Sequence, residues 1–305
     1  MFNVKKLLMP SVVLCALSGN AMAEEQEPLD FSFEARTEVL NDSSVGVSEL
    51  DQNTEQIDSA WEVTLTPELS YKPNDIFSVN ASYDWSRKEY SEQDAFNLDL
   101  GSLHLDASAK LQGFTLGSRY DRSDAKLSGE DFLILTQRSV YVARLMHQRW
   151  YWRVSGITKD KEFPGRENRN ADNAGARIDL FAFLDNAQLI WALGIASDSE
   201  DANDALLDHR GLAANVSLTR KFKMLGAKSE VKIAYRYRES DYHNYDASIS
   251  ASRLDTGYNV SLGAKAQVLE HMAVIAEVTH RDQKSNLDSA AYDEVVASAG
   301  VVFEF

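Results

Sequence analysis

Apolar and polar residues alternate one by one along most of this chain. Residues 61–71 show the pattern clearly, because Trp61, Val63 and Leu65 are separated by polar residues. Successive side chains of a β-strand point to opposite faces, so a period of two predicts strands with one apolar and one polar face. Fourteen such segments follow one another between residues 31 and 305.

The sixth and seventh segments have the least certain phase. In the sixth, we assign Tyr141, Ala143 and Leu145 to the apolar face, although Val140 and Val142 on the opposite face are apolar too. A run that is apolar on both faces does not reveal its orientation through periodicity alone.

Short and long connections alternate between the segments. The short ones are residues 72–75, 112–113, 185–186 and 269–271, and the long polar ones are residues 41–58, 159–172, 198–208 and 239–251. This asymmetry is typical of a barrel that spans the bacterial outer membrane. We therefore predict an all-β fold, a closed antiparallel transmembrane β-barrel of about 14 strands with short periplasmic turns, longer outer loops and both termini in the periplasm. A soluble β-sandwich is the alternative, because apolar and polar residues also alternate along its strands.

The first 23 residues are typical of a secretory signal peptide. Two lysines precede the apolar residues 7–18, and the small residues Ala21 and Ala23 offer a cleavage point. We expect cleavage to leave residues 24–305 as the barrel. The only cysteine, Cys15, lies in the signal, so the mature chain is expected to have no disulfide and no thiolate ligand.

Acidic residues outnumber basic ones, which argues against one class of partner. The chain has 31 Lys and Arg against 47 Asp and Glu, and its net charge of −16 becomes −18 when the two signal lysines, Lys5 and Lys6, are removed. An acidic surface repels a phosphate backbone, so no nucleic-acid partner is expected. We expect outer-membrane lipid and lipopolysaccharide to surround the barrel.

The chain ends in Val301-Val302-Phe303-Glu304-Phe305. This ending resembles the closing strand of bacterial outer-membrane β-barrel proteins, whose alternating apolar residues and terminal aromatic residue are read by the barrel-assembly machinery. The resemblance implies that Phe303 and Phe305 form an assembly signal and that this machinery is a partner.

Residues 235–305 resemble, more loosely, the barrel domain of surface-lipoprotein assembly modifiers. The matching residues are Tyr235-Arg236-Tyr237-Arg238, Asp241-Tyr242, Ser285-Asn286, Tyr292-Asp293 and Gly300-Val301. Those proteins carry a periplasmic helical-repeat domain before the barrel, whereas we expect only residues 24–30 before the first strand here. The resemblance implies a similar architecture more than a similar activity.

A barrel of about fourteen strands should enclose a water-filled lumen, because barrels of about eight strands are filled by their own side chains and wider ones leave a channel. The residues between the lipid-facing ones would line it.

An acidic wall on the first three strands comprises Glu34, Glu38, Glu62, Glu68 and Asp84. A basic wall on later strands comprises Arg119, Arg138, Arg144, Arg153, Arg177, Lys232, Arg236 and Arg238. We hypothesise that the two walls produce a transverse field that orients zwitterions or favours anions. Alternatively, the charges pair with one another and only solvate the interior.

Other chemistry has weaker support. The six histidines lie on different segments and no nucleophile motif accompanies them, so we expect neither an enzyme nor a cofactor. The acidic residues in 41–58 and 198–208 could chelate divalent cations, but the second group lacks the glycine and glutamate of a calcium loop, and no metal site is predicted. Residues 159–172 are the best candidate to fold inward as a constriction.

Three function hypotheses follow. The first is an outer-membrane pore for passive diffusion of small polar or charged solutes, since the lumen of such a barrel is wide enough for them. The second is a component of export or surface assembly. The third is a structural or adhesive barrel with a blocked lumen, and solute permeability separates it from the first.

Overall fold

The computed structural model describes residues 28–54 and 56–305. The expected signal peptide, residues 1–23, lies outside the described residues. The strands are β1 (Leu29–Asp42), β2 (Gly46–Val47), β3 (Gln52–Asn53), β4 (Asp58–Tyr71), β5 (Phe77–Tyr90), β6 (Leu98–Leu111), β7 (Phe114–Leu127), β8 (Glu130–Met146), β9 (Trp150–Glu162), β10 (Ala171–Leu184), β11 (Leu189–Ala202), β12 (His209–Met224), β13 (Ala227–Asp246), β14 (Ala251–Leu269), β15 (Met272–Ser285) and β16 (Tyr292–Glu304). No helix within this part of the chain is long and apolar enough to cross a membrane.

The fourteen long strands, β1 and β4 to β16, form one closed antiparallel barrel in chain order. The barrel closes where residues 34–42 of β1 pair with residues 296–304 of β16. Beyond this register, the backbones of Phe33 and Phe305 exchange two hydrogen bonds of 3.0 Å. The prediction of a closed 14-strand antiparallel barrel is therefore confirmed.

The two ends of the barrel differ in their connections. The end that holds Leu29 and Glu304, here called the terminus end, has short turns such as 112–113 and 225–226. In both turns the two residues have positive φ angles, which suits the twist of a two-residue hairpin. The opposite end, here called the loop end, has connections of different lengths, and residues 43–57 form the longest.

Several strands extend further towards the loop end than the apolar pattern indicates. β11 continues to Ala202 and β13 to Asp246, so the connections after them shrink to residues 203–208 and 247–250. These extensions carry polar residues on both faces, which a barrel wall tolerates where it rises above the lipid. Alternation of apolar residues therefore marks the lipid-contacting part of each strand and not its full length.

The outward face of the barrel is apolar and exposed. Its large exposed side chains include Phe31, Trp61, Val79, Leu105, Leu116, Val154, Ile178, Trp191, Leu218, Ile233, Leu262, Val274 and Val295. Ile178, for example, keeps 51% of its surface exposed. A continuous apolar belt of this extent is unfavourable in water and is the surface that a hydrocarbon layer covers.

The phase assigned to β8 from sequence is wrong. Val140 is 66% exposed and faces outward, whereas Ala143 is fully buried. The hydroxyl of Tyr141 donates a 2.9 Å hydrogen bond to Asp106 inside the barrel. The Tyr141 ring also occupies the space that a Cβ at Gly117 would need. The hydrogen bond to Asp106 and the space over Gly117 therefore orient Tyr141 inward, and Val140 on the opposite face contacts lipid.

A small hydrophobic cluster lies inside the barrel near the loop end. It contains Val47 and Leu50 from the connection after β1, together with Leu100, Ala125, Phe132, Leu133, Leu135 and Phe163 from the wall and from the connection after β9. The core is therefore not at the centre of the barrel but beneath one opening, and the middle of the lumen is lined by polar residues.

Candidate functional site in the barrel lumen

The structure places the predicted acidic wall on three neighbouring strands. Glu34 and Glu38 lie on β1, Glu62 and Glu68 on β4, and Asp84 on β5. All five alternate with outward apolar residues and therefore face the lumen. Glu38 is buried. It accepts a hydrogen bond from Ser298 at 2.9 Å and forms a salt bridge with Arg36 at a nitrogen–oxygen distance of 2.5 Å.

Six members of the predicted basic wall face the lumen, and two do not. Arg119, Arg153, Arg177, Lys232, Arg236 and Arg238 lie on inward positions of β7, β9, β10 and β13. Arg138 and Arg144 point outward, because β8 has the reversed phase. The Arg144 guanidinium lies 4.8 Å from the centroid of the outward-facing Phe114 ring, a cation–π contact on the outer face.

One group of lumen charges is centred on His104. Its Nδ1 lies 2.6 Å from Asp121, and its Nε2 lies 3.1 Å from Asp84. Arg119 donates to Asp121 at 2.7 Å. Both ring nitrogens of His104 therefore contact carboxylates. The expectation that the chain is not an enzyme stays a prediction.

A second group is centred on Asp179, which is only 2% exposed. Arg153 donates to its Oδ2 at 3.0 Å and Arg177 to its Oδ1 at 2.7 Å. The Nη2 of Arg177 also donates to Asn215 at 3.0 Å. A Cβ at Gly194 would come within 2.5 Å of that Nη2, so the glycine provides the space through which Arg177 reaches Asn215.

Replacing Asp179 with Asn is expected to destabilise the barrel. Removal of one partner of a buried ion pair leaves uncompensated charge, here on two arginines, and costs about 3–5 kcal/mol. Urea unfolding of the protein in lipid vesicles, followed by tryptophan fluorescence, measures this loss. The matched control is Asp124→Asn, which removes an exposed partner of Arg122 and should change the free energy of unfolding by less than about 1 kcal/mol. Equal losses for both variants would contradict the assigned role of Asp179.

The connection after β1 folds into the lumen. The described residues of this connection, 43–54 and 56–57, are called loop 1. The carboxylate of Asp51 accepts from Arg169 at 3.0 Å and from Arg253 at 2.7 Å, and Arg169 also donates to the backbone oxygen of Glu49 at 2.7 Å. Val47 and Leu50 anchor the same loop in the hydrophobic cluster.

Residues 159–172 were expected to fold inward as a constriction, but most of that place is taken by loop 1. The connection after β9 spans only residues 163–170 and serves as a support, because Phe163 packs in the cluster and Arg169 holds Asp51. In the sequence, loop 1 stands out for its acidic residues. Its apolar residues Val45, Val47 and Leu50 are the signal in the sequence that could have revealed an inward fold.

Two cavities lie beside loop 1. The larger one has a volume of about 240 Å³ and reaches Lys159, Arg238 and Asn259, along with Glu49 and Asp51 of loop 1. The smaller one has about 120 Å³ and lies against Arg36, Glu62, Lys88 and Gly46 on the other side. Loop 1 therefore divides the upper lumen into a compartment next to the basic wall and a compartment next to the acidic wall.

Two of the five acidic residues of the predicted loop 198–208 form ordinary ion pairs. Asp198 and Glu200 lie on β11 and face Lys159 and Lys161, with nitrogen–oxygen distances of 3.8 and 2.6 Å. Within residues 28–54 and 56–305, no group of three or more His, Cys, Asp or Glu is arranged to hold a metal ion.

Known structures share this fold. OmpT, an outer membrane protein of Vibrio cholerae, aligns with a TM-score of 0.54 and 11% identity over 91% of this chain and 97% of that chain. The anion-selective porin from Comamonas acidovorans aligns with a TM-score of 0.54 and 8% identity over 91% of this chain and 99% of that one. No family model matches the chain, and no curated protein matches its sequence.

The fold is that of a bacterial outer-membrane β-barrel. At such low identities the structural likeness establishes the architecture and does not extend to activity. The looser resemblance to the barrel domain of surface-lipoprotein assembly modifiers stays a prediction.

Proposed function

We propose that this protein is an outer-membrane pore through which small polar or charged solutes diffuse passively, with both termini in the periplasm. The observation that carries the proposal is that four charged side chains in the lumen have no ion-pair partner. Among the described residues, Glu34, Glu68, Lys232 and Arg236 form no ion pair within 4.0 Å. Unpaired charges in a dry interior are costly, so their presence supports a hydrated lumen.

The surroundings of the barrel fit the same proposal. The apolar outward face suits contact with lipid and lipopolysaccharide, and short turns at the terminus end are usual on the periplasmic side. Around His104 and Asp179 the charges neutralise one another. For this part of each wall, the alternative that the charges pair and only solvate the interior is therefore supported. The separation of acidic strands β1, β4 and β5 from basic strands β9, β10 and β13 supports a residual transverse field.

Liposome swelling tests the pore. Purified barrel in liposomes should admit small sugars and amino acids, with rates that fall as the solute becomes larger, because loop 1 narrows the upper lumen. Protein-free liposomes and liposomes with heat-unfolded protein are the controls. A folded barrel that admits none of these solutes and carries no ion current would contradict the pore and favour a blocked, structural barrel.

A further inference from the structure

One row of register partners on neighbouring strands runs across the inner wall of the barrel from β9 to β16. In register order it consists of Arg153, Asp179, Gly194, Asn215, Arg236, Asn259, Arg281 and Glu294. At each end of the row an arginine is matched by a carboxylate, Arg153 by Asp179 at 3.0 Å and Arg281 by Glu294 at 2.7 Å. In the middle, Arg236 lies between two asparagines and has no carboxylate beside it in the row.

Positive charge accumulates around Arg236. The charged groups that act on it most strongly are Arg177, Arg281 and Arg238, all of them cationic. Arg238 lies two residues further along the same face, and its hydrogen bond goes to the hydroxyl of Ser240 at 3.4 Å. Within the described chain, neither Arg236 nor Arg238 forms an ion pair. Asp198 and Glu200 also act on Arg238, but these two carboxylates are paired with Lys159 and Lys161. Half-buried cations that repel one another and have no carboxylate of their own favour a counter-anion from outside the chain.

The neighbours of Arg238 leave open space on one side. Its register partner on β12 is Ala213, whereas on β14 the side chain of Gln283 fills the space over Gly257. The cavity of about 240 Å³ reaches Arg238, Gly257 and Asn259. Its volume is below the ~300–1,000 Å³ of pockets for drug-sized molecules, so a solute held there must be small.

We propose that Arg238 and Asn259, which line this cavity, together with Arg236, the register partner of Asn259, bind the oxyanion group of a small solute, a carboxylate, sulfate or phosphate. Guanidinium groups offer paired N–H donors that match two oxygens of such a group, and an asparagine amide adds a neutral donor. The site rests on the proposed pore function for its role, because it would make the pore selective for small oxyanions.

The double variant Arg236→Gln and Arg238→Gln tests the site. In planar bilayers with a KCl gradient, the reversal potential should show anion preference for the unmodified protein and little preference for the variant. Added sulfate, phosphate or succinate should each reduce the chloride current of the unmodified protein, and the apparent affinity should fall about tenfold or more in the variant, as expected for loss of charge-assisted hydrogen bonds. The three anions, tested separately, identify the oxyanion chemistry.

A matched control removes the same charge from the outer face. Arg138 and Arg210 are exposed and point outward, so the double variant Arg138→Gln and Arg210→Gln should keep the selectivity and the anion block. If both double variants behave alike, the site is absent although the pore stands.

Equilibrium binding separates the two proposals. Titration calorimetry of the folded barrel in detergent, with sulfate, phosphate and succinate as probes, needs no conductance. Binding that is lost only in the lumen variant supports the site even when no current flows, in which case only the pore proposal fails. No binding to the unmodified protein would overturn the site.

Discussion

Replacing residues 45–53 with a glycine–serine linker of equal length is expected to raise the single-channel conductance severalfold. These residues hold the hairpin of β2 and β3, the anchors Val47 and Leu50, and the carboxylate of Asp51 that joins Arg169 to Arg253. A glycine–serine segment has no apolar anchor and no carboxylate, so it should leave the lumen. The two cavities on either side of loop 1 would then merge into one wide opening.

Conductance in planar bilayers at high KCl measures this effect. The control is a glycine–serine replacement of residues 247–250, a connection at the same end of the barrel that lies outside both cavities. It should leave the conductance unchanged. The variant Asp51→Asn keeps the apolar anchors and should give an intermediate result, with more frequent transitions between current levels. An unchanged conductance after the full replacement would show that loop 1 does not lie in the conducting path.

The barrel itself was predictable because its main rule is local. Each lipid-facing strand must present an apolar residue at every second position, and this requirement is visible in a short stretch such as 61–71. The strand number follows from repeating the same test along the chain. In β8 the rule is ambiguous, since residues 140–143 are apolar on both faces, and the orientation depends on Tyr141 meeting Asp106, a residue 35 positions away.

The lumen was predictable in composition and not in detail. Alternation correctly assigns Glu34 or Arg177 to the inward face, but it does not reveal which charges pair. The Asp51 carboxylate binds Arg169 and Arg253, which are 118 and 202 positions away in the chain. Such contacts depend on barrel closure and strand stagger, which no local pattern contains. The inward fold of loop 1 has the same origin, because its anchors need partners from several distant strands.

Deleting residues 303–305 is expected to abolish most of the assembled barrel. The seam between β1 and β16 pairs only residues 34–42 of β1, whereas the pairing of β1 with β4 covers residues 29–42. The deletion removes the pairs of Glu34 and Ala35 and both backbone bonds between Phe33 and Phe305. Residues 33–35 would then form an unpaired strand edge, which is very unfavourable in lipid.

Heat-dependent mobility on gels, applied to cell membranes and to protein refolded from urea into detergent, measures assembly and separates its two causes. The deletion should fail in both systems, because closure itself is lost. Replacing Phe303 and Phe305 with alanine keeps the backbone bonds and removes two partly exposed rings, including the stacking of Phe305 on His271. This variant should refold in detergent yet accumulate poorly in cells if the terminal aromatics are an assembly signal. Leu225→Ser, in a fully exposed turn at the same end, should assemble normally in both. Normal assembly of the deletion variant in detergent would show that the seam tolerates its loss and that the terminal residues act only through recognition.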